Sequence, residues 1–219
     1  MRRVKLEYSV ATAVEPSARV METAAMFGLG VDETRSIRVV PPCEIPLPAG
    51  GVVFVTGPSG GGKSTLLRLI GRHVEADGAR VIRFEALPEL DDRPLVDVFE
   101  TSLGETTALL AMAGLGDAFV MLRKPSELSD GQRYRLRLAQ TIDLAQRESS
   151  GVVILADEFA ATLDRQTAQV IARNVRRWTS KTAHTFVAAT THDDLLEALE
   201  PDVLVSKGLG DQLQVLTRC

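Results

Sequence analysis

The chain has 219 residues, of which 45% are hydrophobic and 25% charged, with a formal net charge of −4 at pH 7; this balance suits a folded domain with a sizeable core and excludes a long disordered chain. The longest apolar runs, Val52–Val55 and Val152–Ala156 among them, are a few residues long, whereas a membrane-crossing helix needs about 20, and the charged start MRRVKLEYSV lacks the apolar stretch of a secretion signal. Two cysteines, Cys43 and Cys219, exclude a disulfide framework, and the acidic balance argues against a general nucleic-acid coat while leaving room for a local basic patch.

Taken in chain order, Pro16–Phe27 is predicted as a short helix with Val20, Ala24 and Phe27 on one face, stopped by Gly28 and Gly30. Ile37–Val40 is predicted as a short strand. The proline-rich stretch 41–51 (PPCEIPLPAGG) predicts a break, because proline neither continues a helix nor donates to a central ladder. Val52–Thr56 reads as a strand buried on both faces of a parallel sheet, followed by a glycine-rich turn and a helix through Thr65–Arg72. Val81–Phe84 is a further strand. Residues 94–120 are predicted mainly as helix with a turn near Gly114–Gly116, and a second helix runs from Gln132 to Arg147. Then come a strand at Val152–Ala156, a helix at Arg165–Thr179, a strand at Thr185–Ala189, a helix near Asp194–Leu199 and closing strands at Val203–Val205 and Gln212–Leu216. Strands alternating with helices predict an α/β fold with a mostly parallel sheet. The helix-only stretch near 94–147 reads as an inserted helical subdomain.

The run Gly57-Pro58-Ser59-Gly60-Gly61-Gly62-Lys63-Ser64 fits G-x-x-x-x-G-K-[ST] and lies between a buried strand and a helix. Glycines let backbone N–H groups close around phosphate oxygens where a Cβ would obstruct them, and the helix aims its positive end at the same point. Lys63 supplies a cation for the β- and γ-phosphates of a nucleotide such as ATP, the Ser64 hydroxyl suits a Mg²⁺ ion, and Thr65 suits the α-phosphate. Val152–Ala156 ends in Asp157-Glu158, at the end of a parallel strand where ligands sit. Asp157 can reach the Mg²⁺ shell, and Glu158 can polarise an attacking water.

Two further segments carry a family resemblance. Leu128-Ser129-Asp130-Gly131-Gln132 resembles the LSGGQ signature of ATP-binding-cassette (ABC) ATPases, with Asp130 in place of the first glycine. Thr190-Thr191-His192-Asp193 resembles their switch-histidine segment, and Ala161-Thr162-Leu163-Asp164 resembles their dimer-contact loop. The resemblance covers roughly residues 50–210. It implies a P-loop NTPase core with a small inserted helical subdomain, arranged as a single domain over 1–219: an N-terminal extension and first strands in 1–50, a nucleotide-binding core in 51–85 and 150–219, and a helical subdomain with the signature in 86–149. It also implies a cytoplasmic ATPase using ATP and Mg²⁺, and a head-to-tail homodimer with two ATPs sandwiched between subunits. Gly57–Thr65 of one subunit would hold the nucleotide, and Ser129, Gly131 and Gln132 of the other would cap its γ-phosphate. His192 would sense that phosphate, Glu158 would be the catalytic glutamate, and Asp164 would couple the two sites.

The family has a glutamine on the strand leading into its insert. Counting back from Leu95–Phe99 puts Glu85 there, either as a Mg²⁺ ligand or water-orienting group, or as a surface acid. The adenine-stacking aromatic of the family has Phe27 as its candidate here and Tyr8 as runner-up, with core packing as the competing reading of Phe27. Phe159 stands where transporter ATPases have proline. The segment Asp157–Ala168 resembles soluble ABC ATPases found fused to a predicted acetyltransferase domain. These departures favour a non-transport partner, acetyltransferase-like for example, over a membrane permease. An insert too short for sustained heptads disfavours a chromosome ATPase. His73 and His184 read as surface residues and Trp178 as a packing residue. Arg173, Arg176, Arg177 and Lys181 read as a solvated face or a partner patch. Arg133, Arg135 and Arg137, just after the signature, read either as attracting nucleotide or as solvated.

Overall fold

The computed structural model describes residues 2–12, 15–30 and 35–218; Cys219 lies outside them. In chain order the elements are β1 (Arg2–Thr12), α1 (Ala18–Met26), β2 (Arg35–Leu47), β3 (Val52–Thr56), α2 (Lys63–Ala76), β4 (Val81–Arg83), α3 (Leu103–Met112), α4 (Ala118–Met121), α5 (Asp130–Gln146), β5 (Val153–Ala156), α6 (Arg165–Thr179), β6 (Thr185–Thr190), α7 (Leu196–Leu199), β7 (Val203–Lys207) and β8 (Leu213–Thr217). Six strands form one sheet in the order β4-β5-β6-β3-β7-β8. Every pairing is parallel except β7 with β8.

The apolar runs of β3, β5 and β6 send alternate side chains into two cores. Phe54, Ile154 and Phe186 face one, packed with Ile171 and Ala172 of α6 and Leu199 of α7. Val55, Leu155 and Val187 face the other, packed with Leu66, Ile70 and Val74 of α2. A strand buried on both sides has no polar face, which is why these segments read as continuous hydrophobic runs. The β5-β6-β3 adjacency has a functional consequence: the loops that leave the carboxyl ends of these three strands emerge side by side.

The first two strands depart from expectation. β1 and β2 form a separate antiparallel pair, in register from Arg2 opposite Leu47 to Thr12 opposite Arg35, with irregularities around Tyr8. β2 runs through Pro41, Pro42 and Pro46, where the sequence predicted a break. A strand paired on one side only can face a proline nitrogen away from its partner, so proline is tolerated there. The helix at α1 forms, but none of its residues is buried, and Phe27 is 74% exposed; the core-packing reading of Phe27 is therefore wrong. Residues 94–120 hold less helix than predicted. A 3₁₀ turn at Leu95–Asp97 precedes α3, whose start is fixed by a capping box between Ser102 and Glu105.

The α6 bounds agree with the prediction. Asp164 caps the helix by accepting from the Thr167 N–H at 3.0 Å. His184 is buried rather than on the surface. It stacks on Trp178 with ring centroids 5.4 Å apart, and its Nδ1 accepts from the Val152 N–H. Burial pushes its pKa down, so the neutral ring remains available as an acceptor. Its packing against Trp178, just ahead of β6 and invisible in a local reading, explains the miss.

Candidate functional site

The loop after β3 bends through glycines at positive φ: Gly57 at 144°, Gly60 at 73° and Gly62 at 95°. At Gly57 the requirement is strict, since a Cβ there would stand 1.9 Å from the Lys207 carbonyl oxygen. Gly62 is the left-handed N-cap of α2, and Lys63 is its first residue. Lys63 Nζ donates to the carbonyls of Gly57 (2.8 Å) and Pro58 (2.9 Å), spanning the loop. Burial pushes the pKa of this amine down, while the negative charges of Asp157, Glu158 and Asp193 oppose that shift.

A cavity of about 520 Å³ opens at this point. One wall is Ser59, Gly60, Gly62, Lys63, Ser64 and Thr65; the other is Asp157 and Glu158 from the end of β5, Ala161 just beyond them, and Thr190 and Thr191 from the end of β6. Thus three neighbouring strands bring a helix N-terminus, a lysine, five hydroxyl side chains and two carboxylates into one hollow. Backbone N–H donors and a cation suit phosphate oxygens. The hydroxyl of Ser64 and the carboxylate of Asp157 are hard oxygen donors that suit Mg²⁺. No group of three or more His, Cys, Asp or Glu side chains able to hold a metal occurs among the described residues. With Ser64 and Asp157 as oxygen donors, the site fits an ion that takes the rest of its shell from substrate phosphates and water, as Mg²⁺ commonly does.

The turn carrying the acids is unusual. Glu158 (φ 47°) and Ala160 (φ 58°) both lie in the left-handed region, which costs a residue with a Cβ of order 1 kcal/mol or more. Its N–H groups are fully accounted for. Asp157 N–H donates to Glu85 Oε1 at 2.6 Å, Glu158 N–H to Asp157 Oδ1 at 3.1 Å and Ala160 N–H to the Tyr134 hydroxyl at 2.7 Å. Phe159 N–H and Ala161 N–H donate to the carbonyls of Ala189 and Glu158. Phe159 is fully buried, edge-on to Phe186 with centroids 5.5 Å apart. Packing alone thus accounts for an aromatic residue at this position.

Other predicted residues lie elsewhere. Gly57, Pro58 and Gly61 belong to the loop but do not line the cavity, nor do Glu85, Phe27 or Tyr8. Glu85 is instead engaged by the Asp157 N–H, and desolvation, with the Asp157 charge adding to it, pushes its carboxyl above the usual range. His192 is half-buried just beyond Thr191, its N–H donating to Thr190 Oγ1. Ser129 and Gln132 form a reciprocal capping box at the start of α5. Gly131 packs near Leu163 of the loop that leads to Asp164. None of Ser129, Gly131, Gln132 and Asp164 lines the cavity. Two of the three arginines after the signature have structural partners: Arg133 donates to the Leu128 carbonyl and Asp130, and Arg135 to the carbonyls of Gly131 and Gly114. Arg176 pairs with Asp202.

Two residues beside the loop escaped the sequence reading. Thr56 Oγ1 donates to Asp193, tying the end of β3 to the turn after β6. Lys207, at the end of β7, is fully buried, and its Nζ donates to the carbonyls of Gly208 and Gly210 at 2.7 Å each. Its position at the end of an apolar strand was the available signal.

No protein-family model matches the chain. A sulfate/thiosulfate import ATP-binding protein from Synechococcus elongatus is 27% identical over 232 residues, covering 89% of this chain and 61% of the relative. A macrolide export ATP-binding/permease protein from Burkholderia thailandensis is also 27% identical, covering 91% of this chain and 34% of the relative. The chain thus spans less than two thirds of the length of these curated relatives. Among solved structures, the dimeric structure of a bacterial ABC transporter cassette aligns with a TM-score of 0.58 at 18% identity, covering 84% of this chain and 94% of the other. A dimeric post-hydrolysis cassette bound to ADP and Pi aligns at 0.57. With the ordered motifs, the parallel sheet and the loop-and-acid cavity on its strand ends, the chain is similar in sequence to ATP-binding proteins of import and export systems and shares its fold with ATP-binding cassettes.

Proposed function

We propose that the chain binds ATP with Mg²⁺ in the loop Gly57–Thr65 and hydrolyses it within a head-to-tail dimer of two copies. The observation that carries this reading is the single cavity shared by the helix N-terminus, Lys63, Ser64, Asp157 and Glu158. The loop amides and Lys63 bind the β- and γ-phosphates, and Ser64 and Asp157 hold the ion, which supplies charge neutralisation on the phosphates when bound. Glu158 orients and deprotonates the attacking water. Ser129, Gly131 and Gln132 of a second copy cap the γ-phosphate from the N-terminus of α5, which supplies in trans what the cavity lacks in cis. His192 senses the γ-phosphate and Asp164 couples the two sites across the interface. Support for the dimer comes from the dimeric form of the similar cassettes and from the position of the signature residues outside the cavity of their own chain.

For the partner that this switch drives, the curated relatives are named as import and export ATP-binding proteins, which favours a membrane permease over a non-transport partner. Phe159 no longer argues the other way, because its burial against Phe186 explains it. Among the described residues no helix is long and apolar enough to cross a membrane, so spanning segments would come from elsewhere.

Ser129→Arg tests the trans arrangement. Ser129 is exposed, and the arginine would stand where the second copy's γ-phosphate approaches. We expect ATP affinity of the isolated subunit within about twofold of wild type, by titration calorimetry. Dimerisation in Mg-ATP should be lost in light scattering, and turnover should fall about 100-fold, as for removal of a transition-state donor. A variant that still dimerises and turns over would overturn the proposal.

A further inference from the structure

The turn Asp157–Ala161 connects the site to the helical arm through side chains. Tyr134 lies on α5, one helical turn beyond the signature residues. Its ring packs on Phe84, centroids 4.8 Å apart, and Phe84 adjoins Glu85 in one 3₁₀ turn. Its hydroxyl accepts the Ala160 N–H at 2.7 Å, and Ala160 is 2% exposed. Without that acceptor the buried N–H loses its hydrogen-bond partner, and such a loss destabilises the conformation that buried it. The conformation in question is the left-handed one at Ala160, two residues after the left-handed Glu158. Glu85 holds the other end of the same turn through the Asp157 N–H. The turn is thereby clamped at both ends by residues that no nucleotide contact requires.

We infer that Tyr134 is a positioning residue for hydrolysis: by accepting the Ala160 N–H it fixes the strained turn that aims the Glu158 carboxylate. This rests on the reading of Glu158 as the group that activates water. Burial holds the phenol well above its usual range, with the Glu85 charge adding to the shift, so the hydroxyl stays neutral at physiological pH. Tyr134 touches neither phosphate nor water in this role. Its removal shifts where Glu158 points without removing a phosphate contact, so the loss falls on kcat and spares binding.

Tyr134→Phe keeps the ring against Phe84 and deletes the acceptor. With Mg-ATP, kcat is expected to fall about 10- to 100-fold, on the scale of a misplaced catalytic group, with nucleotide affinity within about twofold. In the Glu158→Gln background the same substitution should cost almost nothing further, since the group it positions is already gone. An unchanged kcat, a loss confined to affinity, or full additivity with Glu158→Gln would overturn the inference. If Glu158→Gln alone left turnover intact, the hydrolysis reading itself would fail, and the two failures are distinguishable. Should Tyr134→Phe not fold, amide hydrogen exchange of the wild-type peptide covering 157–163 decides. Slow exchange at Ala160 is expected, and exchange at the rate of an open loop would overturn the hydrogen bond on which the inference stands.

Discussion

Lys63→Ala is expected to lower ATP turnover at least about 100- to 1000-fold, the scale for losing an electrostatic group aimed at the transferring phosphate, and to weaken nucleotide binding. Lys63 is 9% exposed at the first position of α2, its Nζ across the loop carbonyls of Gly57 and Pro58. Burial makes the amine easier to deprotonate, and the charges of Asp157, Glu158 and Asp193 oppose that shift without reversing it. In the proposed site this amine would be the cation that meets the phosphates. Steady-state phosphate release measures the effect, with thermal unfolding as the control for folding. Turnover within a few-fold of wild type in a folded variant would remove Lys63 from the phosphate site.

Glu158→Gln is expected to give the second large effect. The substitution preserves shape and removes the base, so hydrolysis should slow about 100- to 10,000-fold, the usual range for general base catalysis. Glu158 is exposed at φ 47°, and glutamine meets the same backbone cost, so the difference reads out chemistry rather than folding. Binding being intact, Mg-ATP should accumulate a stable dimer, visible as a doubling of mass in light scattering. A variant that hydrolyses normally, or one that binds ATP and stays monomeric, would contradict the assignment of Glu158 or the sandwich, respectively.

The central sheet and the phosphate loop were legible because their signals are local. Val52–Thr56, the glycine run and Lys63 are contiguous, and a strand buried on both faces has to be apolar throughout. Helix α6 was legible to its ends, because Asp164 caps it and Ile171, Val175 and Trp178 repeat on its buried face. What escaped depends on partners distant in sequence. Pro41, Pro42 and Pro46 broke the pattern of β2 only until its one-sided pairing with β1 was visible. His184 became a core residue through Trp178 and Val152. Tyr134, within the stretch from Gln132 to Arg147 that read as helix, acquired its meaning from Ala160, 26 positions away. Phe27, placed by resemblance and periodicity, stands exposed beyond α1. Helical spacing states which residues share a face, and says nothing of whether another element covers it.

The most direct test is a crystal structure of the chain grown with Mg²⁺ and a non-hydrolysable ATP analogue. The triphosphate is expected along the amides of Gly57–Thr65, with Ser64 and Asp157 turned to the ion and Ser129–Gln132 of a second copy against the γ-phosphate. Nucleotide bound away from that loop, or a loop left without nucleotide at saturating analogue, would contradict the assignment.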